Sequence, residues 1–126
     1  MKSLLEKKTS PKRAHEYFQA KNQFTTGPVE LSHLIKDGDE VNIVDLRAAE
    51  DFQKEHMPGA LNLPQAQWDT EQGLSKDKTN ILVCYSQQCH LASKAGEKFS
   101  AKDYSVMEME GGFAAWKDNG LPIEKA

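Results

Sequence analysis

The feature that most constrains this chain is an abrupt change of pattern between residues 80 and 99. Residues 81–83 form a continuous apolar run, which is typical of a strand buried on both faces of a parallel sheet. Apolar side chains then recur at helical spacing, at Leu91, Ala92, Ala95 and Phe99. This pattern is typical of an amphipathic helix packed on a sheet. We therefore predict a strand that ends near Cys84, a tight polar loop, and a helix that begins near Cys89 or His90.

Both cysteines of the chain, Cys84 and Cys89, lie in this loop. Ligands of open parallel sheets bind beyond the carboxyl ends of the strands. A helix N-terminus there presents unpaired N–H groups and a partial positive charge, which stabilise a thiolate or a bound anion. We predict that Cys84 has a low pKa and is more reactive than Cys89. The alternative is that both cysteines serve only as small hydrophobic residues.

Composition limits the classes of function. A chain of 126 residues with 38% hydrophobic residues forms one domain with a single core. A net charge of −3 without a basic stripe indicates no nucleic-acid partner. The first residues lack the apolar run of a signal peptide, and no stretch approaches transmembrane length. We therefore expect a soluble cytoplasmic protein without a membrane partner. The pattern does not indicate an oligomeric state.

The cysteine pair does not indicate a structural disulfide or a metal site. Two cysteines with four residues between them are unlike the frameworks of secreted proteins. For zinc, only His90 is adjacent, no second CxxC-like half occurs, and His15, His33 and His56 are scattered. We expect no metal, and we expect a close pair in a reducing compartment to be reactive.

Strand and helix patterns alternate along the rest of the chain. Ser10 and Pro11 mark a helix start and predict a helix over residues 10–20, which Tyr17 and Phe18 would pack on the body together with Ala14. The other predicted elements are an edge strand at 23–25, a helix at 28–36, a strand at 41–45, a short helix at 48–54, a brief strand near 60–63, a helical turn at 65–69, a strand at 104–109 and a helix at 113–119. This alternation predicts an α/β fold with a mainly parallel sheet.

Four short motifs accompany the cysteine loop. They are VDLR at residues 44–47, HMPGALNLP at 56–64, EGGFAAW at 110–116 and GLP at 120–122. With Cys84 at the end of the central strand, they resemble the "DVR…HIPGAINIP" and "GGFxAW…GxP" signatures and the catalytic cysteine of the rhodanese-like (sulfurtransferase) family. The resemblance implies a rhodanese-like domain over residues 24–126, preceded by an N-terminal extension over residues 1–23.

The resemblance also implies a fold and a reaction. The fold is a mostly parallel sheet of about five strands flanked by helices. In the reaction, the Cys84 thiolate takes the outer sulfur of a donor, becomes a persulfide, and yields that sulfur to an acceptor. The implied partners are a small-molecule or protein sulfur donor and a thiol acceptor, and no metal or organic cofactor is implied. The implied substrate-binding loop consists of Tyr85, Ser86, Gln87, Gln88 and His90.

The motifs also indicate residues that support the loop. We predict that Asp45, Arg47 and His56 form a hydrogen-bonded network behind it and take no direct part in catalysis. The family signature usually has glycine before the histidine, whereas this chain has Glu55. Glycines 111–112 fill positions that need positive φ or a close approach of backbones.

The loop departs from the family pattern at its second cysteine. Many active rhodaneses have an arginine where this chain has Cys89, the related phosphatases have one at the position of His90, and no arginine follows Arg47. The loop therefore lacks a guanidinium clamp for an anionic donor, which disfavours thiosulfate. Two alternatives to sulfur transfer follow: a dithiol redox or persulfide-reducing protein that uses Cys84 and Cys89, or a non-catalytic binding module with the same fold.

Overall fold

The sheet and helices are seen in a computed structural model that describes residues 10–125. In chain order the elements are α1 (Pro11–Phe24), β1 (Thr25–Thr26), α2 (Pro28–Lys36), β2 (Val41–Asp45), α3 (Ala49–Lys54), β3 (Leu61–Asn62), a 3-10 helix (Gln65–Thr70), β4 (Thr79–Val83), α4 (Leu91–Ser100), β5 (Val106–Met109) and α5 (Gly112–Asp118). None of the helices described is both long and apolar enough to cross a membrane.

The five strands are all parallel and lie in the order β1-β5-β4-β2-β3. The central strand β4 pairs with β2 from Thr79 to Val83 and with β5 from Asn80 to Leu82. This confirms the predicted α/β fold, its five strands and the central position of residues 81–83. Because the strands are parallel, their carboxyl ends meet at one edge, where Cys84 follows β4.

Both faces of the sheet are covered, which explains the continuous apolar run in β4. Successive side chains of a strand point to opposite faces. Leu82 packs in the cluster that contains Phe99 of α4, whereas Ile81 and Val83 pack in the cluster that contains Trp116 of α5. No residue of the run can therefore be polar without loss of burial on one face.

Helix α1 begins where predicted and ends later. The Ser10 side chain accepts a hydrogen bond from the Arg13 N–H at 3.3 Å, and Pro11 occupies the first turn. The helix continues to Phe24 because residues 21–24 contain neither glycine nor proline. The edge strand is consequently Thr25–Thr26 and pairs with the end of β5.

The predicted packing of α1 is wrong. Tyr17 and Phe18 are 60% and 55% exposed, and no residue of the helix is buried. The helix follows the edge of the sheet at β1 and β5 and does not enter the core. Of the predicted extension over residues 1–23, residues 1–9 lie outside the described part of the chain. The division of the chain into an extension and a domain stays a prediction.

Candidate active site

Cys84 lies directly after β4 and is 2% exposed. Its Sγ is within hydrogen-bond distance of the carbonyl oxygens of Ser86 (3.5 Å) and Cys89 (3.6 Å). Burial raises the pKa of this thiol, and the backbone N–H groups of Ala92 and Ser86 oppose that rise in part. The loop between β4 and α4 therefore encloses the Cys84 thiol with both donors and acceptors.

Cys89 is half-buried at the far end of the same loop. The N–H groups of Leu91 and Tyr85 and the neighbouring Cys84 thiol favour the ionised form of its sulfur. The loop N–H groups that we expected to cradle one sulfur are thus divided between two. The Cys89 N–H itself donates to the Ser86 carbonyl at 3.1 Å, which closes the loop as a turn.

The two thiols differ in acidity, in the direction opposite to our prediction. Burial raises the pKa of Cys84 to about 11, and the hydrogen bond with Cys89 adds to the rise. Burial also raises the pKa of Cys89, but the N–H groups of Leu91 and Tyr85 outweigh it and lower that pKa. The prediction of a low-pKa Cys84 is therefore wrong. Because two neighbouring thiolates repel each other, the two cysteines titrate as a pair, and Cys89 is the thiol that loses its proton first.

The N-terminus of α5 fixes the backbone of the loop. The Phe113 N–H donates to the Cys84 carbonyl at 2.7 Å, and the Ala114 N–H donates to the Tyr85 carbonyl at 3.0 Å. Gly111 and Gly112 have φ of 82° and 62°. A Cβ on Gly112 would lie 2.5 Å from the Cys84 oxygen, so only glycine allows this approach. Both features predicted for the glycine pair, positive φ and close approach, are present.

Asp45 and Arg47, two of the three residues of the predicted network, form a buried ion pair. The Arg47 guanidinium donates to the Asp45 carboxylate from Nε at 3.0 Å and from Nη2 at 2.9 Å, and both side chains are buried. Nη2 also donates to the Glu55 carbonyl at 2.7 Å. The guanidinium carbon lies 4.0 Å from the centroid of the Phe113 ring. The pair thus holds the strand end and α5 in one arrangement, and its guanidinium is fully engaged there.

His56 contributes to this support only indirectly. Its Nδ1 lies 2.8 Å from the Phe52 carbonyl oxygen, and its ring stacks on the Phe52 ring at 3.8 Å. It connects to Arg47 through the preceding residue, Glu55. Glu55 has φ of −166°, which is extended backbone that any residue adopts, so the family's glycine is not required here.

The remaining loop residues have different surroundings. The Tyr85 hydroxyl donates to the Asp51 carboxylate at 2.6 Å and accepts from the Ala48 N–H at 3.0 Å, which ties the loop to α3. Sequence reasoning missed both partners. Gln88 and His90 are exposed, and the His90 side chain does not cap α4.

A cavity of about 190 Å³ opens above Cys84. Its lining residues are Tyr17, Lys21, Thr25, Cys84, Ser86, Gln87, Glu108, Met109, Glu110 and Gly111. Sequence reasoning missed the contributions of α1 and β5 to this site. The available signal was Tyr17 and Lys21, which lie four residues apart and so share one helix face. Within the described part of the chain, no cluster of three or more His, Cys, Asp or Glu is arranged to hold a metal ion.

Two relatives match most of the chain. The HTH-type transcriptional regulator Rv0324 of Mycobacterium tuberculosis is 30% identical over 91 residues, which are 71% of this chain and 40% of that protein. The uncharacterized protein slr1261 of Synechocystis is 32% identical over 102 residues, which are 80% of this chain and 56% of that protein. The chain thus spans about half the length of these relatives.

A solved structure and a family model extend the comparison. The crystal structure of the BH2092 protein from Bacillus halodurans is 33% identical, has a TM-score of 0.82, and covers 92% of this chain and 87% of that chain. The model of the rhodanese-like domain matches residues 27–119. That range contains the cysteine loop, the buried ion pair and the glycine pair described above. The chain belongs to the rhodanese-like domain family.

Proposed function

We propose that this protein is a sulfurtransferase that carries sulfur as a persulfide on Cys84 and passes it to a thiol or another nucleophilic acceptor. The observation that carries the proposal is the position of the Cys84 sulfur. It lies at the carboxyl end of the central strand and lines a cavity, so a donor that enters the cavity meets this sulfur. The thiolate is both the attacking and the leaving form of the cysteine, and the N–H groups of Ala92 and Ser86 offset part of the rise that burial imposes on the pKa of Cys84.

Cys89 supplies the base for the first step. The N–H groups of Leu91 and Tyr85 and the neighbouring Cys84 thiol lower the pKa of Cys89, so the Cys89 thiolate accepts the Cys84 proton as Cys84 attacks. A bond forms between Cys84 Sγ and the outer sulfur of the donor. The bond between that sulfur and the rest of the donor breaks, and the electron pair leaves with the remainder of the donor molecule.

The second step returns the enzyme to its starting state. An acceptor thiolate in the cavity attacks the outer sulfur of the Cys84 persulfide. A new sulfur–sulfur bond forms on the acceptor, and the electron pair of the broken bond returns to Cys84. The N–H groups of Ser86 and Ala92 stabilise the released thiolate.

The second cysteine of the loop favours a second candidate function, reduction of persulfides within the protein, because the Cys84 and Cys89 side chains are near enough to shift each other's pKa. Here the Cys89 thiolate attacks Cys84 Sγ, a Cys84–Cys89 disulfide forms, and the outer sulfur leaves as hydrosulfide. The disulfide must then be reduced by an external dithiol before the next turnover. Sulfur transfer and persulfide reduction share the first step and differ in the role of Cys89.

Intact-protein mass spectrometry after exposure to inorganic polysulfide tests the proposal. Cys89→Ser is expected to gain one sulfur on Cys84, and Cys84→Ser is expected to gain none at that position. In the wild type, retained sulfur indicates transfer, and a Cys84–Cys89 disulfide indicates persulfide reduction. Addition of a thiol acceptor should remove the sulfur added to Cys89→Ser. Loading of Cys84→Ser to the extent seen for Cys89→Ser would contradict the assignment of Cys84 as the sulfur carrier.

A further inference from the structure

Helix α1 contributes a cation to the cavity above Cys84. It precedes the residues 27–119 that the family model matches, yet Tyr17 and Lys21 line the cavity. The likeness to the Bacillus halodurans structure covers 92% of the chain, which is more than residues 27–126 can supply. Part of α1 is therefore included in that likeness, and the helix belongs to the architecture around the site.

The lining of the cavity also carries carboxylates. Glu108 of β5 and Glu110, which follows the strand, both line it and are half-buried. Burial raises the pKa of Glu108, and the neighbouring charge of Glu110 raises it further.

The charges of Lys21 and Glu110 have no ion-pair partner among residues 10–125. The ion pairs found there are Arg47–Asp45, Lys98–Asp69, Lys102–Glu71 and Lys117–Glu55. One cavity is thus lined by a cation from α1 and by a carboxylate that follows β5, neither of which is engaged in an ion pair within the described residues. A purely anionic ligand is attracted by Lys21 but repelled by Glu110. A purely cationic ligand is attracted by Glu110 but repelled by Lys21.

We propose that the Cys84 cavity binds a small zwitterionic thiol, an α-amino acid with a sulfhydryl side chain, with its carboxylate near Lys21 and its ammonium group near Glu110. The proposal rests on the sulfur transfer proposed above and names its acceptor. The cavity volume of about 190 Å³ is below the ≈ 300–1,000 Å³ of sites for drug-sized ligands, which favours a single amino acid over a tripeptide thiol.

The acceptor reacts by the second step described above. Its thiolate sulfur bonds to the outer sulfur of the Cys84 persulfide, the bond within the persulfide breaks, and Cys84 regains the electron pair. The amino acid leaves as a persulfide with one added sulfur. Lys21 and Glu110 touch only the charged groups of the acceptor, so they determine specificity and do not take part in the chemical step.

Four acceptors that differ only in their charged groups test this proposal. They are cysteine, cysteamine without the carboxylate, 3-mercaptopropionate without the ammonium group, and 2-mercaptoethanol without either. Turnover is measured in the Cys89→Ser background with inorganic polysulfide as donor, so that attack by Cys89 does not compete. Loss of the Cys89 base slows loading in this background, but it does so equally for all four acceptors, so their KM values are compared only with one another. Cysteine is expected to have the lowest KM. Lys21→Met should raise KM roughly threefold to fivefold for cysteine and 3-mercaptopropionate only, as loss of one partly exposed ion pair predicts.

Glu110→Gln provides the complementary test. It should raise KM for cysteine and cysteamine and leave KM for 3-mercaptopropionate unchanged or lower. Lys12→Met, on the exposed surface of α1, and Glu40→Gln, exposed before β2, are matched controls of the same charge change. Equal KM values for all four thiols, with no effect of either cavity variant, would overturn this proposal. If polysulfide still loads sulfur onto Cys84 in that case, the proposed sulfurtransferase function stands. Failure of polysulfide to load Cys84 would overturn both.

Discussion

Cys84 and Cys89 lie at the two ends of one loop between β4 and α4, where, beside the effect of burial, the Cys89 side chain raises the pKa of Cys84 and the Cys84 side chain lowers that of Cys89. Cys84 is the more deeply buried of the two, and the N–H groups of Leu91 and Tyr85 favour the thiolate of Cys89. The second cysteine therefore occupies backbone donors that would otherwise be available to a bound anion. This relationship makes the acidity of each thiol depend on the other, and the first two predictions follow from it.

We predict that iodoacetamide alkylates Cys89 before Cys84 at neutral pH. The pKa of Cys89 is lowered and that of Cys84 is raised to about 11, and the thiolate is the reactive form. Alkylation rates across a pH series, with peptide mapping to separate the two sites, measure the pKa of each cysteine. In Cys89→Ser the pKa of Cys84 should fall, because a hydrogen bond and a like charge that raise it are removed. Alkylation of Cys84 first in the wild type would contradict this prediction.

We predict that Cys89→Ser accumulates a stable Cys84 persulfide, whereas the wild type releases hydrosulfide and forms a Cys84–Cys89 disulfide. The physical reason is that a thiolate in contact with Cys84 can attack its Sγ once the persulfide forms. Hydrosulfide release after a single addition of polysulfide, followed by mass spectrometry without reductant, distinguishes the two proteins. If Cys89→Ser releases hydrosulfide at the wild-type rate with a dithiol present, Cys89 has no resolving role, and sulfur transfer by Cys84 alone remains.

We predict that Arg47→Met destabilises the fold more than Arg47→Lys. Arg47 donates twice to the buried Asp45 carboxylate, so removal of the cation leaves an unpaired buried charge, at about 3–5 kcal/mol. Lysine retains the charge but not the bidentate geometry. Urea denaturation measures the free energy of unfolding of both variants. Arg13→Met on the exposed side of α1 is the control, and Asp45→Asn combined with Arg47→Met should recover part of the loss. If Arg47→Met loses no more stability than the control does, this role of the ion pair is contradicted.

The fold was predictable because its signals are local and repeated. The apolar run at residues 81–83 indicates a strand covered on both faces, and the capping pair at Ser10 and Pro11 marks the start of α1. The glycine pair at 111–112 was predictable from the motif, since positive φ leaves few other choices. In these places one residue type is dictated by one local requirement.

The acidity of the two thiols and the walls of the cavity were not predictable in the same way. The pKa of Cys84 depends on burial by elements far apart in sequence and on the rotation of the Cys89 side chain. Lys21 reaches the site because α1 follows the edge of the sheet. Neither the exposed face of α1 nor its composition distinguishes a helix at the sheet edge from a helix packed into the core. These properties arise from tertiary contacts that no short sequence window contains.

We predict that Gly112→Ala impairs both stability and sulfur loading. The new Cβ would lie 2.5 Å from the Cys84 oxygen and 2.6 Å from the Ser86 nitrogen, at a φ of 62° that side chains rarely adopt. To avoid this overlap, α5 must move away and weaken the 2.7 Å hydrogen bond from the Phe113 N–H to Cys84.

The matched control for this substitution is Gly120→Ala. Gly120 has a similar φ of 68°, but a Cβ there meets nothing within 4 Å. Gly120→Ala therefore measures the backbone strain alone, about 1–3 kcal/mol by urea denaturation, and should load sulfur on Cys84 at the wild-type rate. Gly112→Ala should lose more stability and load more slowly, because the loop that encloses the sulfur is displaced. Equal losses in the two variants, with equal rates of loading, would show that the contact of α5 with the loop does not position Cys84.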